Sequence, residues 1–160
     1  MVITKEEIRT LLNKLQNDNK CKFDLCYLNE KNPNPFEWKT VIEGVQGSIY
    51  ENGFYMLKII FSENYPEDPP SIYFLNKIFH PHIHSGGHVC ICPDKKDILT
   101  VLDRVENMFL DFDNDLDHAY GEEPRILCQK NKEEFIKKAQ EWVNAYAKLE
   151  DLDPLYDLYC

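Results

Sequence analysis

The apolar residues of this chain change period part-way along it, and that change limits the folds open to it. Between residues 22 and 75 they alternate with polar ones in several stretches, the period of two that turns one face of a strand toward a core. From Asp97 onward they recur about every 3.6 residues, the period of an amphipathic helix. Between the two regimes lie residues 79–94, which include Pro81, Gly86 and Gly87 and so read as irregular backbone. Four of the five histidines (His80, His82, His84, His88) fall there, together with Cys90 and Cys92. Such a segment, rich in titratable and nucleophilic groups and flanked by structure-forming sequence, reads as a reactive loop held by a scaffold.

The scaffold can be read in order. Thr4 followed by Glu7 is a capping-box pattern, and Ile8, Leu11, Leu12 and Leu15 then follow at helical spacing. Phe23, Leu25 and Tyr27 alternate with polar neighbours as a half-buried strand, and Trp38, Thr40 and Ile42 do the same after a turn-rich stretch. Residues 54–61 are apolar on both faces, as expected of a central strand, and residues 71–75 form a shorter one. After the reactive loop, Asp97 is placed to cap a helix with a stripe of Ile98, Leu102, Val105 and Phe109. Residues 111–123 read as an acidic, solvated loop closed by Pro124. Phe135, Ala139, Trp142, Val143 and Tyr146 mark a last long helix, and Pro154 is expected to break any helix in the acidic tail. The expectation is an α+β domain: an N-terminal helix, a four-stranded antiparallel meander, the reactive-cysteine loop, then C-terminal helices. One domain over residues 1–148 with a short acidic tail at 149–160 is the expected organisation.

Composition sets the outer limits. A length of 160 residues with 43% apolar content suits one domain with one core. The net charge of −10 argues against nucleic acid as the main partner, since phosphate binding calls for a basic face. No apolar run is long enough to span a membrane, and the start lacks the apolar core of a signal peptide. The six cysteines are scattered and read as reduced thiols. A cytoplasmic or nuclear protein is the expectation.

Spaced motifs then resemble those of the ubiquitin-conjugating enzyme family. Residues 38–53 resemble its segment of tryptophan, strand, turn and Tyr-Glu-Gly-Gly, ending here in Tyr-Glu-Asn-Gly. Residues 61–70 read Phe-Ser-Glu-Asn-Tyr-Pro-Glu-Asp-Pro-Pro, close to Phe-Pro-x-x-Tyr-Pro-x-x-Pro-Pro. His80-Pro81-His82 stands where the family carries His-Pro-Asn, and Cys90 follows with Gly87 in the family's place. The match runs from the first helix to about Ala147.

The resemblance implies a thioester relay. Ubiquitin, or a related modifier, would pass from an activating enzyme, which consumes the ATP, to the Cys90 thiolate and then to an amine on a substrate protein. It implies no metal and no bound cofactor. His80, Pro81 and Gly87 would shape the loop. His82 would take the place of the asparagine that organises the loop or stabilises the oxyanion, since a neutral imidazole still donates one hydrogen bond. A minority branch of the family also carries His-Pro-His and favours N-terminal amines. Cys92 and Asp94 would gate the site or orient the incoming amine. Arg9 and Glu67 fall where the family contacts its activating enzyme and ligases. Glu67 replaces an apolar residue and the family's Trp-Ser-Pro-Ala loop is missing, so ligase docking is expected to be atypical.

Each of these residues also has a plainer role open to it. Cys90 could be an inert thiol and Cys92 a spare one, or Cys92 the acceptor in a longer loop. Tyr50, Tyr65 and Trp38 read as packing residues, and His80 as a structural hydrogen-bonding group rather than a base. Two other functions fit the same residues. One is a His/Cys metal-binding loop. The other is a non-catalytic variant that serves as a binding scaffold.

Overall fold

The computed structural model describes residues 2–91 and 96–159. Helix α1 (Lys5–Gln16) begins with the capping box legible in the sequence: Glu7 N–H donates to Thr4 Oγ1 and Thr4 N–H to the Glu7 carboxylate. Its Ile8, Leu12 and Leu15 are buried and its polar residues face outward. An antiparallel sheet follows in the order β1 (Cys26–Tyr27), β2 (Glu37–Glu43), β3 (Phe54–Ile60), β4 (Ser71–Phe74), each strand pairing with the next. The α+β meander is as expected, with helices α2 (Ile98–Asn107), α3 (Glu122–Lys130), α4 (Lys132–Tyr146) and α5 (Asp153–Tyr159) after it.

Strand alternation sets the core. Trp38 lies opposite Ile59, Thr40 opposite Leu57 and Ile42 opposite Tyr55, and all six are buried. Ile72 and Phe74 of β4 extend the same face. Ile98, Val101, Leu102 and Val105 of α2 and Phe135, Ala139 and Val143 of α4 close over one continuous core.

Four local expectations are corrected. The first strand is two residues long, because the Leu25 carbonyl accepts from Gln16 Nε2 on α1 (2.9 Å) instead of joining the ladder. The helix capped by Asp97 stops at Asn107, so Phe109 is buried just beyond its end and Val101 joins the stripe instead. The stretch read as a loop up to Glu123 ends in helix α3, in which Pro124 occupies the first turn, where its missing N–H has no helical partner to lose. Pro154 likewise sits in the first turn of α5 rather than ending a helix.

The residues after α4 cover the opposite face of the sheet. A short 3₁₀ turn (Leu149–Leu152) packs on β3, and Leu152 is fully buried. Lys39 and Met56, on the face away from Trp38, are buried as well. The Lys39 ammonium lies 5.7 Å from the Tyr156 ring of α5. A fully buried leucine contributes about 2 kcal/mol, and Leu152 is the one buried residue among the described residues of this segment. Leu152→Ala should therefore release this segment locally. Amide exchange should accelerate across residues 149–159, while protection of β2 and β3 amides on the core side persists.

Candidate active site

Beyond β4 the chain is pinned at three places before it reaches the site. Asn76 bridges the sheet to the end of α4, accepting from Met56 N–H and donating to the Phe54 and Tyr146 carbonyls. Phe79 packs between Phe135 and Trp142, and its carbonyl accepts from the Tyr50 hydroxyl at 2.7 Å. His80 is fully buried, with its ring stacked on Tyr50.

The His80 ring is committed on both nitrogens. Nε2 lies 2.7 Å from the Met108 carbonyl, an acceptor, so Nε2 carries the proton. Nδ1 is then free to accept, and the His82 backbone N–H donates to it at 3.0 Å. Burial, and to a lesser degree the neighbouring His82, hold the His80 pKa down at about 3, with the Met108 hydrogen bond opposing them. His80 is thus held neutral and braces the loop.

From His82 the loop turns back on itself as a narrow hairpin. Ile83 pairs with Val89, His84 N–H donates to the His88 carbonyl, and Gly87 N–H closes the turn onto the His84 carbonyl at 2.8 Å. Gly87 is required there: its φ is +92°, and a Cβ would fall 2.2 Å from the Phe74 carbonyl oxygen. The second arm docks on β4, with Phe74 N–H donating to Gly87 and Val89 N–H to Ile72. One step outward from the Ile83–Val89 pair, Cys90 N–H donates to the His82 carbonyl at 3.0 Å. The hairpin register thus sets Cys90, a half-buried residue, opposite His82.

The segment after α2 wraps the far side of this loop. The Met108 carbonyl takes the His80 proton, the Asn114 carbonyl accepts from His82 Nε2 at 2.5 Å, and Gly121 N–H donates to the Pro81 carbonyl at 2.7 Å. Asp113 ties the segment to α4 through Lys132, which holds its carboxyl below the usual range, and Phe112 stacks on Phe135. Gly121 approaches so closely that a Cβ would come within 2.6–2.9 Å of three carbonyl oxygens, those of His80, Pro81 and Ile83. Met108, Asn114 and Gly121 were not foreseen as site residues. Two of them act through backbone carbonyls, which no side-chain pattern reveals. Gly121 stands alone in an acidic stretch, which was a usable signal.

Among the other expected residues, Trp38, Tyr50 and Tyr65 are buried packing residues, and the Tyr65 hydroxyl also accepts from Ile98 N–H at the start of α2. Arg9 is exposed on α1 beside Glu6, and Glu67 is exposed with its carbonyl bound to Lys96. Among the described residues, neither makes a hydrogen bond to the hairpin. Cys92 and Asp94 lie outside the described residues. The histidines do not converge on a common centre: His84 Nδ1 accepts from Gly86 N–H and the His88 ring lies against Tyr73. No group of three or more metal-ligating side chains gathers among the described residues.

A half-buried cysteine paired through its backbone with a histidine across a hairpin, and a buried neutral histidine bracing that hairpin, are groups that nucleophilic chemistry can use. A family model for ubiquitin-conjugating enzymes matches residues 4–143. The chain belongs to the ubiquitin-conjugating enzyme family. It is 32% identical over 114 residues to ubiquitin-conjugating enzyme E2 22 of Arabidopsis thaliana, a match covering 67% of this chain and 44% of that longer protein. With ubiquitin-conjugating enzyme E2 13 of Schizosaccharomyces pombe it shares 32% identity over 118 residues, 69% of this chain and 77% of the relative. A crystal structure from Plasmodium yoelii assigned as a ubiquitin conjugating enzyme superposes with a TM-score of 0.74 at 29% identity, covering 89% of this chain and 94% of that one.

Two outcomes follow from the site geometry. A histidine held neutral by the fold stabilises it fully above the unfolded-state value near 6.5, and the contribution is lost as pH falls toward about 3. Denaturation across that window should show a loss on the order of 4–5 kcal/mol beyond what His80→Gln shows. Gly121→Ala should cost roughly 1–3 kcal/mol in urea melts, because the wrapping segment must move off three carbonyls.

Proposed function

We propose that this family member accepts ubiquitin, or a ubiquitin-like modifier, as a thioester on Cys90 and passes it to an amine of a substrate protein. The pairing of Cys90 with His82 across the hairpin supports this reading most directly. The thiol is held at the rim of a rigid loop, partly exposed, where the C-terminal carboxyl of a modifier, activated elsewhere, can reach it. His80, Pro81 and Gly87 fix the loop, and His82 takes the place of the family's asparagine beside the thioester. No cofactor is needed, because the activating enzyme supplies the high-energy thioester. Arg9 and Glu67 are proposed as contacts for the activating enzyme and for a ligase. Glu67 places an exposed carboxylate where the family presents an apolar residue, so a fitting ligase would offer a polar or basic surface.

Charging tests the reading. Incubation with ubiquitin, a ubiquitin-activating enzyme and ATP should give a reductant-sensitive adduct in the wild type and in Cys92→Ala, and none in Cys90→Ala. An adduct that survives in Cys90→Ala but not in Cys92→Ala would move the nucleophile. No adduct with ubiquitin or with ubiquitin-like modifiers would leave a binding role.

A further inference from the structure

The two site histidines share one tautomer but differ in what remains open. In His80 the proton on Nε2 goes to the Met108 carbonyl, and Nδ1 is filled by the His82 N–H. In His82 the proton on Nε2 goes to the Asn114 carbonyl, which can only accept, and Nδ1 makes no hydrogen bond among the described residues. The single donor of a neutral imidazole is therefore already used. What a neutral His82 has left for a substrate is a lone pair.

Resting on the thioester reading above, we infer that His82 is the general base of the transfer step, taking a proton from the attacking amine through Nδ1, and not a donor to the oxyanion. The amine nitrogen attacks the thioester carbonyl carbon, and a C–N bond forms as one N–H proton passes to Nδ1. The tetrahedral intermediate then collapses, the C–S bond breaks, and Cys90 leaves as the thiolate. The proton on His82 returns to that thiolate or to water, so thioester and amine become amide and thiol. Position favours His82 over the alternatives. It lies across the hairpin from Cys90, whereas His80 is sealed in the core with both nitrogens used. The Asn114 carbonyl holds the ring in the required tautomer, so this acceptor is a positioning group for the base. An asparagine at this site would offer an amide donor instead, which makes the substitution a change of chemical role.

Among the described residues, the charged groups on either side of Asn114 are already paired. On the wrapping segment Asp113 is paired with Lys132 of α4, and Asp115 with His118. On its own loop His80 is neutral, and Cys90 is acylated in the reacting form. His118 is exposed and its pKa is raised by Asp115, but it is common to all variants compared and cancels in a ratio.

The experiment uses wild type and His82→Gln, loaded with ubiquitin and then freed of activating enzyme and ATP. A glutamine amide can keep the donation to the Asn114 carbonyl while removing Nδ1. Discharge to a small amine is followed from equal amounts of thioester, between about pH 5.5 and 8.5, and the ratio of wild-type to variant rates is plotted. A base gives a ratio that rises with pH and reaches at least about tenfold. A ratio that falls with pH would identify a protonated donor and overturn the assignment, as would a ratio that is flat or near one. His82→Ala, carried in parallel, removes both ring nitrogens, should give a ratio that rises with pH as His82→Gln does, and keeps the test open should the glutamine variant misfold. Failure of the wild type to load at all would count against the thioester reading instead, so the two failures are separable.

Discussion

His80 joins two parts of the chain that are 28 residues apart, and the site depends on that junction. Its ring has no contact with water, so both nitrogens must find partners inside the protein or cost several kcal/mol as unsatisfied polar groups. They find one on each side: the carbonyl that ends the region of α2, and the N–H that begins the hairpin. The Tyr50 ring stacked on it, with its hydroxyl on the Phe79 carbonyl, ties the same junction to the turn between β2 and β3. A neutral imidazole fits because it is donor on one edge and acceptor on the other. Protonation would turn Nδ1 into a donor facing a backbone N–H.

From this junction the chemistry follows by short steps. The His82 N–H is held by the strut, so its carbonyl and ring project to opposite partners, Cys90 N–H and the Asn114 carbonyl. The hairpin closes through Gly87 at a left-handed φ, and this sets the register that brings Cys90 opposite His82. The segment from Met108 to Gly121 has little regular structure, yet it supplies three of the hydrogen bonds that shape the loop. Its Asp113 and Asp115 side chains pair with Lys132 and His118, while its backbone faces the site.

Much of the scaffold was legible because its cues are local. Thr4 with Glu7 announced α1, Asp97 announced α2, alternation announced β2, and a run apolar on both faces announced β3. Misreadings came where a distant group competed with a local one. Phe23 to Tyr27 alternates like a strand, but Gln16 of α1 takes the Leu25 carbonyl. Pro124 and Pro154 were read as stops, although in a first turn a proline loses no helical hydrogen bond. The reactive loop could be picked out by composition alone, since four histidines and two cysteines in sixteen residues are chemically conspicuous. The partners that set their states could not, because the Met108 and Asn114 carbonyls belong to residues whose side chains carry no such signal.

The amino-acid sequence by itself determined which groups are competent: a thiol, an imidazole in place of an amide, a proline and glycines that force the loop to turn. It also determined the periods that build a helix, a meander and further helices. Only the tertiary structure decided which histidine is sealed and which is open, and which nitrogen of His82 carries the proton. The physical reason is that a tautomer is set by the partner on the opposite edge of the ring. For both histidines that partner is a backbone carbonyl brought in from 28 or 32 residues away.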